Sequence, residues 1–370
     1  MTTINWEKIV VDCLDQPRYT YGAQRVGTQR PSAGVLDWLL EAENPSVRYL
    51  TLRDLLDRPE DDPEVRASRD AIVRTDPARR ILDAQWPEGY WGHVGIGYSP
   101  KYKATIWQII FLMQLGAPPI PAIRQACEYV LAHSRLSGGT VPGTDVPEAR
   151  FSAYTNRKGA IICLNGNVLR ALRHFGYGGD PRVLATTEAL LAQITRDHFR
   201  CRFNGRTATG RLPPRMDQGL PCVWGAIKAL SYLADLPESQ RAPAAEDALA
   251  AGVELLLSHD LTRADYPNPE DHPNHLWWQF GFPLGYASDA LEALELLGCL
   301  GYEADPRLAP AIERVWAKAD ERGRWTLEYT PRSMWASFGK IGHANKWVTL
   351  RALRALRRVG IWGANQDTSS

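Results

Sequence analysis

The chain has 370 residues, 44% hydrophobic and 23% charged, with a formal net charge of +1. That is an ordinary globular composition, which excludes a disordered or collagen-like chain, and the balanced charge argues against a nucleic-acid binder. No stretch approaches the ~20 apolar residues that span a bilayer, and Met1 onward lacks a basic segment leading into an apolar one, so a cytoplasmic protein is expected, with at most peripheral membrane contact.

In chain order, residues 1–34 read as an N-terminal helix and arm, residues 35–362 as one repeat domain, and residues 363–370 as a flexible tail. A short helical unit around Leu36 to Arg74 opens the domain. After it the sequence is periodic. Gly176-Tyr-Gly-Gly-Asp-Pro-Arg182 recurs as Gly301-Tyr-Glu-Ala-Asp-Pro-Arg307, 125 residues later, and Glu128, Glu188, Glu254 and Glu313 follow one another at separations of 60, 66 and 59 residues. A unit of about sixty residues is therefore repeated.

Each unit has the same internal order. A Gly- and Pro-rich segment leads into a helix apolar on most faces: Ala104 to Leu115, Asn167 to Phe175, Ala226 to Ala234, Asp289 to Leu300 and Thr349 to Val359. A Gly or Pro turn ends it, because glycine adopts the left-handed cap and proline cannot continue the ladder. A second, amphipathic helix follows, as in Pro310 to Lys318. A helix apolar nearly all round must be buried and its partner can face water, so about six such pairs predict an all-α protein, an α/α toroid of inner and outer helices. No run of alternating residues is long enough to predict a sheet.

Gln85-Trp-Pro-Glu-Gly89-Tyr-Trp91 resembles the QW motif of the squalene-cyclase and protein-prenyltransferase repeat superfamily, and Gly323-Arg-Trp325 is a partial copy without the Gln. The Gly permits a tight turn and the Trp stacks over a helix end. The chain is also similar to bacterial squalene-cyclase-like proteins. This resemblance implies an α/α barrel whose central cavity is approached by the N-termini of the inner helices. It does not fix the chemistry, which belongs to the site.

Residues at the starts of the inner helices are therefore the candidates. Lys101, Lys103, Arg157, Lys158, Arg215, Lys340 and Lys346 fall there. Joined to helix N-termini, they would form a basic mouth for a diphosphate or carboxylate; as loop cations they would simply be solvated. Trp107, Trp224, Trp277, Trp278, Phe280, Phe282, Tyr286 and Trp347 lie in or just before the same helices. Such rings could hold an isoprenoid or other hydrophobic ligand and steady a carbocation; the alternative is core packing.

The resemblance implies a terpene-cyclase-like isomerase or prenyl-substrate enzyme without a cofactor. Class II terpene cyclases use a D-x-D-D cluster, which is absent here. Asp289 starts an inner helix at about the corresponding place and is the candidate acid, with helix capping as its alternative role. His343 is the second candidate catalytic residue. A competing expectation, implied by prenyltransferases and lanthionine cyclases, is a zinc site made from Cys163, Cys222, His343 and Asp217, acting on a thiol. The third is a non-catalytic toroid that binds a lipid or peptide.

Overall fold

The computed structural model describes residues 33–133, 155–156, 159–200, 220–267 and 275–361. Arg157, Lys158, Arg215 and Asp217, the expected N-terminal arm through residue 32 and the tail lie outside them.

The protein is all-α. Thirteen α-helices are described: α1 (Ala33–Leu39), α2 (Pro45–Asp54), α3 (Pro63–Ile72), α4 (Ala78–Asp83), α5 (Thr105–Gln114), α6 (Pro121–His133), α7 (Ile162–Leu172), α8 (Pro181–Asp197), α9 (Val223–Ala234), α10 (Pro243–Leu257), α11 (Ala290–Cys299), α12 (Ala309–Trp316) and α13 (Lys346–Arg358). The only strands among the described residues are β1 (Thr155–Asn156) and β2 (Gly159–Ala160), a two-residue antiparallel pair.

Helices α5, α7, α9, α11 and α13 coincide with the five apolar runs, and α6, α8, α10 and α12 are the amphipathic partners. Every residue of α5 from Thr105 to Leu112 is buried, whereas α12 buries Ala311, Ile312 and Val315 on one face. Consecutive members of the first set pack together, α5 on α7, α7 on α9, α9 on α11 and α11 on α13, and each of α5, α7 and α9 also packs on its amphipathic partner. Helix α13 packs on α2, and the Ser46 hydroxyl of α2 donates to the Leu115 carbonyl at the end of α5 at 2.7 Å. Two glycines let the buried helices approach closely. A Cβ on Gly166 of α7 would lie 2.6 Å from the Lys228 carbonyl oxygen of α9, and one on Gly298 of α11 would lie 2.4 Å from that of Arg358 on α13.

The recurring motifs are the same device twice. Gly176 and Gly301 have φ of +94° and +84°, the conformation glycine alone adopts cheaply, and each turns the chain out of a buried helix. Four residues on, Asp180 and Asp305 accept from the backbone N–H of Arg182 and Arg307, opening the next helix, and pair with those same arginine side chains. The two tryptophan turns also match. Gly89 and Gly323 have φ of +90° and +72°. Trp91 and Trp325 are fully buried, and their Nε1 atoms donate to the Ile81 and Val315 carbonyls at 2.6 and 2.8 Å, inside α4 and α12. Their backbone N–H groups donate to Thr105 and Thr349, in α5 and α13. Tryptophan thus pins an amphipathic helix to the buried helix that follows it, and the partial copy performs the role without the glutamine.

Candidate functional site

A cavity of about 980 Å³ is lined by all six of α2, α5, α7, α9, α11 and α13. Segment 280–288, which leads into α11, contributes Phe282 and Leu284 to the lining. This segment is held by side chains from three helices: Gln114 exchanges two hydrogen bonds with the Leu284 backbone at 2.7 and 2.8 Å, Asn167 donates to the Gly285 carbonyl at 2.7 Å, and Arg351 donates to the Gly281 carbonyl at 2.7 Å. Buried backbone needs partners, and here polar side chains supply them beside a short backbone bridge, in which Phe282 N–H donates to the Tyr329 carbonyl at 3.2 Å and Glu328 N–H to that of Phe280 at 2.9 Å.

Much of the rest of the lining is charged. Arg53 and Asp54 come from α2, Arg170 and Arg173 from the end of α7, Lys228 and Asp235 from α9 and the residue that ends it, Glu292 and Glu295 from α11, and Arg351, Arg354 and Arg358 from α13. Many stand at the last turns of their helices, where the dipole favours cations. Charged groups inside otherwise apolar helices were not among the expected site residues. Their signal was the i, i+3 spacing of Arg170 and Arg173, Glu292 and Glu295, and Arg351 and Arg354, which places each pair on one face.

The ion pairs join neighbouring repeats. Arg170 donates to Asp235 at 2.6 Å, Lys228 to both oxygens of Glu292 at 2.6 Å, and Arg354 to Glu295 at 2.6 Å. Asp54 takes Arg53 at 2.5 Å and Arg354 at 3.3 Å. Lys228 is only 2% exposed, and burial pulls its ammonium below the ordinary lysine range against the opposing attraction of Glu292. Asp54 is held below the usual carboxylate range because attraction from Arg354 and Arg53 outweighs its burial, which alone would raise it.

Asp289 caps α11, accepting from the Glu292 N–H at 3.0 Å, and both its oxygens accept from the Arg351 guanidinium at 2.7 and 2.8 Å. Its side chain is 2% exposed and that of Arg351 9%. The carboxylate faces a guanidinium, not the cavity, so the geometry gives it a capping and pairing role in place of the expected acid.

The expected aromatic set divides into three groups, none of whose named members lines this cavity apart from Phe282. Trp107 and Trp224 lie 6.4 and 6.0 Å from Tyr286, and Lys101 covers the Tyr286 ring at 4.2 Å while donating to its hydroxyl at 2.9 Å. Trp347 stacks on Phe282 at 5.4 Å. Trp277 and Trp278 donate to the Leu261 and Thr262 carbonyls, and Phe280 lies beside Trp278, under Lys318. Lys103 covers Trp335 at 4.7 Å, and Lys346 pairs with Glu41 at 2.6 Å. Lys101, Lys103 and Lys346 are thus engaged with rings or a carboxylate, and Lys340 is exposed.

For the zinc alternative, Cys222 caps α9 through a 3.4 Å contact to the Gly225 N–H, Cys163 lies half-buried in α7, and His343 is exposed in the loop before α13. No three His, Cys, Asp or Glu groups come together as a metal site among the described residues. No described helix is long and apolar enough to cross a membrane. No protein-family model matches the chain, and no curated protein matches it.

Proposed function

We propose that residues 35–362 form a single α/α toroid of the squalene-cyclase-like type, and that its centre binds a small, polar, anionic molecule. Support for the closed ring is the order of packing: α5, α7, α9, α11 and α13 follow one another, α13 meets α2, and Ser46 of α2 bonds to the end of α5. The paired tryptophan turns support the repeat type.

The observation that carries the ligand class is the cavity wall. Seven cations, Arg53, Arg170, Arg173, Lys228, Arg351, Arg354 and Arg358, face four carboxylates, Asp54, Asp235, Glu292 and Glu295. A hydrocarbon chain placed there would desolvate those groups without replacing their hydrogen bonds. An anion would gain from the surplus, in a concave site where the field is focused.

A second reading keeps the prenyl substrate at the Trp107, Trp224, Tyr286 and Lys101 cluster, none of whose members lines that cavity. Two probes separate the readings: inorganic pyrophosphate carries the charge without the chain, and farnesol the chain without the charge. Calorimetry on the full chain is expected to show pyrophosphate binding and no farnesol binding. Farnesol binding without pyrophosphate binding would favour the prenyl reading, silence from farnesol would remove it, and silence from pyrophosphate would remove a phosphoryl ligand from the anion reading.

A further inference from the structure

Not all seven cavity cations are available to a ligand. Arg170 is taken by Asp235, Lys228 by Glu292, Arg53 by Asp54, and Arg354 by Glu295 and Asp54, which uses up all four carboxylates of the wall. Arg351 is occupied behind the wall by Asp289 and the Gly281 carbonyl. Two remain. Arg173, at the end of α7, donates through Nε to the Asp235 backbone carbonyl at 3.2 Å, and its two terminal nitrogens have no hydrogen-bond partner among the described residues. Arg358, the last residue of α13, has neither an ion pair nor a side-chain hydrogen bond among them, and acts on Asp54 only at longer range. Both line the cavity.

We infer that Arg173 and Arg358 are the ligand's anchors, and that the ligand is a compact dianion presenting phosphoryl or carboxylate oxygens to one guanidinium on each of two helices. The inference rests on the anion-binding reading above and narrows it. The four saturated pairs set the shape of the wall and compete internally for each other, so they give an incoming anion little. An unsaturated guanidinium offers a planar fork of N–H donors that matches two oxygens at once. Two forks on different helices reward a ligand with two anionic ends, or one oxyanion large enough to meet both. Each carboxylate of the wall has a cation of its own, which offsets much of its repulsion of an incoming anion.

The test is calorimetry of the full chain with inorganic phosphate, pyrophosphate and succinate, on the natural protein and on Arg173→Gln, Arg358→Gln and the surface control Arg66→Gln. Each anchor variant is expected to weaken binding roughly tenfold or more, since a charge-assisted bond is lost. The control should bind like the natural protein. Arg173→Lys and Arg358→Lys keep the charge and lose the fork, and partial loss in them assigns the planar geometry. A response to pyrophosphate or phosphate alone assigns a phosphoryl ligand; a response to succinate assigns a dicarboxylate. If the natural protein binds a probe and both Gln variants, still folded by circular dichroism, bind it equally well, the anchor assignment is overturned while the anion-binding reading stands. If the natural protein binds none of the three probes, the anion-binding reading itself fails.

Discussion

Replacing Asp289 by Asn tests what that residue is for. In the structure its two oxygens neutralise Arg351 and one also caps α11. Asn keeps an acceptor for the Glu292 N–H, so the cap largely survives, but the charge is lost and Arg351 is left buried without a counter-ion. Breaking a buried pair from one side costs about 3–5 kcal/mol, and the wetter side of this pair, Arg351 at 9% exposure, argues for the lower end, about 3 kcal/mol. Asp289→Ala also loses the cap, adding about 1 kcal/mol. With total stabilities of about 5–15 kcal/mol, the Asn variant is the measurable one. Urea unfolding followed by tryptophan fluorescence gives the difference. Arg351→Met removes the buried charge, and in that background Asp289→Asn should cost less than about 1 kcal/mol, a coupling expected only of groups in contact. A cost under about 1 kcal/mol in the natural background, with an unchanged denaturant slope, would refute the pair and return Asp289 to the candidate acids.

Gly166→Ala forces a Cβ against the Lys228 carbonyl oxygen at 2.6 Å and should destabilise by about 1–3 kcal/mol or more in the same urea assay. Trp325→Phe keeps most of the ring but leaves the Val315 carbonyl without its 2.8 Å donor, and a loss of about 1–3 kcal/mol is expected, shared by Trp91→Phe at the equivalent turn. The hydrogen bonds from the Arg182 side chain, then from the Arg182 backbone, hold Asp180 below its ordinary 3.8. A depressed folded-state carboxylate stabilises the fold above its unfolded value, and that contribution is lost as pH falls below about 4. Asp180→Asn should therefore flatten the acid limb of the stability curve there; an unchanged limb would contradict the pairing.

The helix pairs were legible because their causes are local. Glycines 176 and 301 end one helix, the aspartates four residues on begin the next, and apolar periodicity marks which member of each pair is buried; all of this sits within one repeat. The turn at Trp91 was legible for the same reason, and its partial copy at Trp325 needed only the Gly and Trp that make the hydrogen-bonded turn. The cavity was not. Arg170 meets Asp235, Lys228 meets Glu292 and Arg351 meets Asp289 across 65, 64 and 62 residues, about one repeat each, and nothing local to any of these charges announces its partner. The aromatic residues gave the opposite error. Rings near helix starts satisfy a pocket and a packed core equally well in sequence, and only the packed chain shows that of these eight rings Phe282 lines the cavity and the other seven do not. Periodicity fixes which face of a helix is buried, since burial follows from the residues of that helix alone; which charges a cavity leaves unpaired depends on how neighbouring repeats are set against one another, and that is decided only when the whole chain packs.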